Sequence, residues 1–172
     1  PCTDECPVDQ DVPQYMAAVR ESRYADAVAI TRRDNPLAAI LGHVCDHLCE
    51  HTCIRTHYDE PLAIRHIKRF IMGQENGPAA GGQASSGGGK VAIIGAGPAG
   101  LAAAELLGRS GWQVTLFEKR SYPGGMVGGA IPSYRLPQER IRQDLTPLGR
   151  LGVRLEFGRE AGRDFTLSDL QR

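Results

Sequence analysis

The sequence has no excess of charge of either sign. Its 20 Lys and Arg residues balance 20 Asp and Glu residues over 172 positions. Without a basic field, neither nucleic acid nor an anionic membrane surface is an expected partner. No apolar run approaches the ~20 residues that a membrane span requires. No signal peptide opens the chain, which starts Pro1-Cys2-Thr3-Asp4-Glu5-Cys6-Pro7, so a cytoplasmic location is expected. There is no initiator Met and no internal repeat. The final residues, Asp169-Leu170-Gln171-Arg172, read as a stop in mid-fold, so a piece of a longer protein is expected. No cysteine follows Cys53, which confines thiol chemistry to the N-terminal part. Only one glycine-rich GxGxxG turn is present.

That turn is the most informative stretch. Lys90 to Ile94 is a short apolar run rich in β-branched residues and reads as a buried strand. Gly95-Ala96-Gly97-Pro98-Ala99-Gly100 follows it. Gly95 permits a sharp turn, Gly97 leaves the backbone open to a pyrophosphate, and Gly100 lets the next helix pack closely on the strand. A helix over Ala99 to Leu107 would present its free N–H groups to the phosphates. Val114 to Phe117 reads as the next parallel strand. Glu118 stands at its end, eighteen residues after Gly100, where a carboxylate can accept from ribose hydroxyls. Strand, glycines, helix, strand and acid fall in register, which predicts dinucleotide binding. By spacing alone either FAD or NAD(P) fits.

Length allows one or two domains. Residues 77–89 are built from Gly, Ala, Ser, Pro and Gln and cannot bury apolar area, so a flexible linker is expected there. It divides the chain into an N-terminal domain (1–76) and a Rossmann-like domain (90–172) that is short of strands. The expected class is therefore α followed by α/β. In the first domain, Pro13 with Tyr15, Met16 and Val19 predicts one helix. Tyr24 to Ile30 predicts a second, ending near Asp34-Asn35-Pro36. Leu37 to Leu41 reads as an apolar turn and Pro61 to Met72 as a third helix. In the second domain, Tyr122 to Gly129 reads as a loop. Pro137 opens a helix carrying Ile141, Leu145, Leu148 and Leu151, and Val153 to Phe157 alternates as a strand. Thr166 to Asp169 resembles a capping box.

The five cysteines are Cys2, Cys6, Cys45, Cys49 and Cys53, the last three spaced C-x3-C-x3-C. A Cys-Pro pair such as Cys6-Pro7 marks ferredoxin-type iron–sulfur ligation, in which cysteines of one run serve different clusters. Disulfides would need an oxidising compartment. Zinc favours four ligands in paired C-x2-C spacing, although His43, His47 and His51 interleave with the cysteines and keep it open. Inert burial fits poorly with so tight a cluster. The four-residue spacing of the three His residues would stack them on one helix, as neighbours of a site rather than ligands.

Together these motifs resemble a known module. Cys2-x3-Cys6-Pro7, then Gly42-His43-Val44-Cys45-x3-Cys49-Glu50-x2-Cys53, then Glu60 to Phe70 look like the N-terminal iron–sulfur domain shared by the glutamate synthase small subunit and dihydropyrimidine dehydrogenase. Gly95 to Gly100, Glu118 to Met126, and Ile131 to Pro137 resemble the FAD domain that follows it. Asp11 to Met16 and His43 to Cys49 look closest to the selenate reductase iron–sulfur flavoprotein branch.

The resemblance implies two 4Fe–4S clusters with crossed ligation. Cys2 and Cys53 would serve one, with two cysteines upstream of Pro1. Cys6, Cys45 and Cys49 would serve the other. In relatives its fourth ligand can be Gln or Glu, and the matching position here is Lys68, whose ammonium has no lone pair. For FAD the resemblance implies Gly95, Ala96, Gly97, Pro98, Ala99 and Gly100 at the pyrophosphate and Glu118 at the ribose. It places Lys119, Gly124, Gly125 and Met126 along the cofactor, with Arg135 as a further contact. Read from its own chemistry, Arg135 could equally be a surface charge.

The implied activity is electron transfer from NAD(P)H, bound outside this chain, through FAD and the clusters to an electron-accepting catalytic domain or subunit. No residue here need act as an acid or base. Two other readings stay open: the electron-input subunit of glutamate synthase itself, or a zinc-stabilised interaction domain joined to a nucleotide-sensing Rossmann unit.

Overall fold

The structure, a computed structural model, describes residues 1–76 and 87–171. These form two compact units, a helical one and an α/β one. Residues 77–86 of the expected linker lie outside the described residues.

The helical unit begins with α1, Val12–Arg20. Asp11 caps it, its carboxylate accepting the Gln14 N–H at 3.1 Å, and Pro13 sits in the first turn. Helix α2, Tyr24–Asp34, stops where Asn35 turns extended ahead of Pro36. Helix α3, Ala38–Val44, replaces the expected turn over Leu37 to Leu41. The run Leu37 to Ile40 is buried on every side, so it carries no one-sided periodicity for a sequence reading to detect. The Asn35 side chain also accepts the Leu37 N–H at 3.1 Å and turns the chain into the helix.

Helix α4, Leu48–His51, and a 3-10 turn, Ile54–His57, carry the cysteine run onward. Helix α5, Ile64–Gly73, starts three residues later than Pro61. Glu50 of α4 reaches across to accept the Arg65 N–H at 2.9 Å, satisfying a donor of the first turn of α5. The core joins Val12, Tyr15 and Ala18 to Ala27, Val28, Ala38, Ala39, Cys49, Ile64, Ile71 and Met72. Helices α3 and α5 touch at Gly42, where a Cβ would stand 3.0 Å from the Arg69 Cα. Arg32 grips Glu75 through two bonds of 3.0 and 2.7 Å and donates to the Pro36 carbonyl at 3.2 Å, tying α2 to the segment after α5.

The α/β unit runs β1 (Lys90–Ile94), α6 (Pro98–Arg109), β2 (Gln113–Glu118), α7 (Met126–Gly129), α8 (Gln138–Arg150), β3 (Arg154–Phe157) and α9 (Leu167–Leu170). Its strands are parallel in the order β1-β2-β3, with Ile93 beside Leu116 and Leu116 beside Leu155. Pairing starts ahead of β1, since Gly88 donates to the Gly111 carbonyl and Gln113 to the Gly89 carbonyl. Of the predicted α8 stripe, Ile141 and Leu148 are buried, and Leu151 is buried at the helix end. The capping box is present, with Asp169 accepting the Thr166 N–H at 2.8 Å. The short α7 lies inside the expected loop. Among the described residues no helix is long and apolar enough to cross a membrane.

Candidate cluster and dinucleotide sites

The ends of short elements bring three thiols together. Cys6 closes a tight turn, its N–H donating to the Thr3 carbonyl. Cys45 caps the C-terminus of α3, and Cys49 lies on α4. Between them His47 takes a left-handed conformation (φ 49°), which lets the chain reverse within one turn. Cys6, Cys45, Cys49 and Lys68 line one cavity of about 290 Å³. The cavity wall also includes buried Gln10, Tyr15 and Asn35. The His47 N–H lies 3.3 Å from the Cys45 sulfur, a backbone donor already aimed at a thiol.

Burial pushes the Cys49 thiol up to about 11, and the nearby Lys68 charge pulls against that rise. A thiolate ligand at Cys49 therefore needs a positive partner on arrival, and binding releases a proton. The Tyr15 phenol is pushed well above its ordinary range, first by burial and then by the neighbouring Cys49, Cys6, Cys2 and Cys45. Tyr15 thus lies among four of the five cysteines. Cys53 is buried at the head of the 3-10 turn, and half-buried Cys2 packs against the helical core. Neither lines the three-thiol cavity.

All five cysteines are free thiols. Among the described residues no three Cys, His, Asp or Glu side chains close round a point as a single metal ion requires. A four-iron cluster fills the space between its ligands and holds them farther apart, which suits three thiols spread over one cavity wall. The three His residues do not form the expected single stack. His43 is buried in α3, His47 sits between helices in a left-handed conformation, and the His47 and His51 rings meet edge-on at 6.0 Å. The His47 Nδ1 lies 3.2 Å from the Cys45 carbonyl oxygen and 3.3 Å from an Arg65 guanidinium nitrogen. That nitrogen is already placed against its own loop.

The second site sits at the carboxyl end of the parallel strands. Gly95 takes φ 101°, a region side chains rarely enter, as the chain leaves β1. A Cβ on Gly100 would collide with the Gly95 carbonyl oxygen, whereas one on Gly97 would meet nothing within 4 Å. Gly97 thus faces open space at the N-terminus of the twelve-residue α6, where an anion can approach. The Gly124–Gly125 turn presses against Gly97 from the other side, and Gly124 donates to the Ala96 carbonyl at 2.7 Å.

Glu118 is buried at the end of β2. Its two carboxylate oxygens accept the Ala96 N–H at 2.9 Å and the Arg120 N–H at 2.8 Å. Each oxygen keeps a lone pair for a ribose hydroxyl. Beside the ligand role expected from its position, Glu118 thus has a structural one that no local pattern reveals, because the bond from Ala96 spans 22 residues. Lys119 is exposed and pairs loosely with Glu160 at 3.5 Å. Met126 is exposed at the head of α7, and Arg135 is exposed in the turn before α8.

Residues 1–78 match the family described as dihydropyrimidine dehydrogenase domain II, 4Fe-4S cluster. This N-terminal part is similar to that family over its whole length. Residues 93–147 match the family described as NAD(P)-binding Rossmann-like domain, in agreement with the parallel sheet. The 4Fe-4S family domain is thus followed by a Rossmann-like one, as expected.

Three relatives are similar over the chain. The NADP(+)-dependent formate dehydrogenase subunit beta of Moorella thermoacetica is 41% identical, matching 100% of this chain and 28% of its own length. The NADPH-Fe(3+) oxidoreductase subunit beta of Geobacter sulfurreducens is 35% identical, matching 100% and 26%. The NAD-dependent dihydropyrimidine dehydrogenase subunit PreT of Escherichia coli is 34% identical, matching 99% and 42%. The chain therefore spans between 26% and 42% of the length of these relatives, which are named as dehydrogenase or oxidoreductase subunits.

Proposed function

We propose that this chain is the electron-transfer part of an iron–sulfur flavoprotein oxidoreductase. Electrons from NAD(P)H would pass through FAD and 4Fe–4S clusters to an electron-accepting catalytic domain or subunit. The observation that carries this reading is the pairing of two sites in one chain: a three-thiol cavity and an open glycine turn closed by a buried acid.

Cys6, Cys45 and Cys49 would hold one cluster. Cys2 and Cys53, apart from that cavity, would serve a second cluster with ligands from outside the chain. FAD, when bound, supplies the conversion of a hydride into single electrons. The chain's own residues bind and orient. The open backbone at Gly97 and the N–H groups opening α6 receive the diphosphate. Glu118 holds the ribose. Lys119, Gly124, Gly125 and Met126 border the cofactor, and Arg135 adds a charge beside it.

FAD rather than NAD(P) at this turn is favoured by the Gly124–Gly125 loop that folds back on Gly97, extending the binding edge beyond the first turn. The names of the relatives support the class of activity and the presence of a partner subunit.

The test is anaerobic reconstitution of the full-length protein, followed by iron, sulfide and cofactor analysis. Iron with acid-labile sulfide and heat-released FAD are expected. Zinc without sulfide would overturn the cluster reading. Recovery of NAD without flavin would overturn the FAD reading.

A further inference from the structure

Lys68 is 6% exposed, although it lies on the cysteine-bearing side of a helix that could have turned it to solvent. Lysine is almost never fully buried unless it is paired. Among the described residues its ammonium makes no hydrogen bond and no ion pair, and it lines the same cavity as Cys6, Cys45 and Cys49. The other charges at this wall are already spent or solvated. Arg65 donates to the Cys45 carbonyl at 3.1 Å, with His47 beside it. Glu5 and Asp46 are exposed to water. A cation held largely out of water beside three cysteine side chains, with no ion-pair partner among the described residues, is a costly arrangement. It becomes a favourable one when those thiols turn into thiolates around a cluster.

We propose that Lys68 is the fixed counter-charge of the Cys6–Cys45–Cys49 site, standing in the place of a fourth protein ligand and holding that cluster's reduction potential up. This rests on the cluster reading proposed above. An ammonium has three donors and no lone pair, so it can donate to sulfur but cannot bind iron. Reduction adds a negative charge, and a cation against the sulfurs stabilises the reduced form more than the oxidised one. Net charge, hydrogen bonds to sulfur and solvent exposure are the terms that set such potentials, and Lys68 bears on all three. Lys68 shares the buried face of α5 with Ile64 and Ile71, where its aliphatic stem can lie against apolar surface and carry the ammonium to the cavity.

The test uses the full-length protein with its clusters assembled anaerobically, comparing wild type, Lys68→Met and Lys68→Arg by potentiometric titration followed by electron paramagnetic resonance. Lys68→Met should lower the midpoint of one cluster and leave the other unmoved. The expected size is about a tenfold fall in the reduced-to-oxidised ratio at fixed potential, or 59 mV for one electron. Lys68→Arg should stay near wild type. Loss of one cluster in the Met variant with retention in the Arg variant also supports the proposal, because charge is then needed to hold three thiolates together. An unmoved midpoint in Lys68→Met, equal shifts in both variants, or cluster loss in both would overturn it. A wild type that assembles no iron–sulfur signal overturns the cluster reading itself, a result separate from all of these.

Discussion

Gly97 and Gly100 share a motif but answer to different constraints. Gly97 has an extended backbone (φ −75°, ψ 177°) that any residue adopts, and a Cβ there meets nothing. Gly100 faces the Gly95 carbonyl, and a Cβ would force α6 off β1. Gly97→Ala should therefore fold normally and lose dinucleotide affinity. Gly100→Ala should destabilise the α/β unit by about 1–3 kcal/mol, the usual cost of overpacking. Thermal melts followed by circular dichroism, paired with cofactor titration, separate the two; equal melting points would refute the packing argument. Glu118 combines both duties. Each of its bonds to a backbone N–H is of the charged kind, typically about 1.5–3 kcal/mol. Glu118→Ala should thus lower the melting point as well as the affinity. An affinity loss with an unchanged melt would mean that the Ala96 and Arg120 bonds contribute nothing to the fold.

The helices of the first unit are held by contacts that no local pattern announces. Arg32 and Glu75 are 43 residues apart, and their side chains are only 4% and 8% exposed. Removing one partner strips the other buried charge of its ion pair, at about 3–5 kcal/mol. Glu75→Ala should melt the helical unit early in urea, and the double variant Arg32→Met/Glu75→Leu should recover most of the loss. If the double variant is as weak as the single one, the pair is not the cause.

The same contrast explains what the sequence could reveal. Helices α1 and α2 were legible because Pro13, the apolar stripe and Asn35-Pro36 are local signals. The β1–α6–β2 turn was legible because each glycine has a stereochemical reason at its own position. Helix α3 was not, since a run buried all round has no polar face. The grouping of Cys6 with Cys45 and Cys49 came from resemblance, and its cavity depends on how α3, α4 and α5 pack. The burial of Lys68 follows from that packing too. Its neighbours His66 and Arg69 are exposed on the same helix, so residue type alone could not single it out.

At the scale of the whole molecule, the α/β unit carries a parallel sheet covered unevenly. Such sheets are ordinarily buried on both faces by helices. Here Val114 and Leu116 are buried, while Ile94, at the end of the first strand, is 60% exposed. Strand β2 is paired on both sides, but β1 is paired only with β2 among the described residues. Amide exchange should therefore be faster along β1 than along β2 in the isolated chain. Equal protection would show that something else covers the β1 edge.

Hydride transfer requires a nicotinamide held about 3–3.5 Å from its acceptor, which calls for a second nucleotide site beside the first. The sequence has one GxGxxG turn, and the strand over Arg154–Phe157 leads into Gly158-Arg159-Glu160 rather than another. If that single turn takes FAD, the 172-residue chain has no glycine-rich turn left for the donor. Supplemented with FAD and an artificial electron acceptor, it should oxidise neither NADH nor NADPH faster than free flavin does. Turnover well above that baseline would mean that the glycine turn serves the nicotinamide nucleotide itself, and the assignment of FAD to Gly95–Gly100 would fall with it.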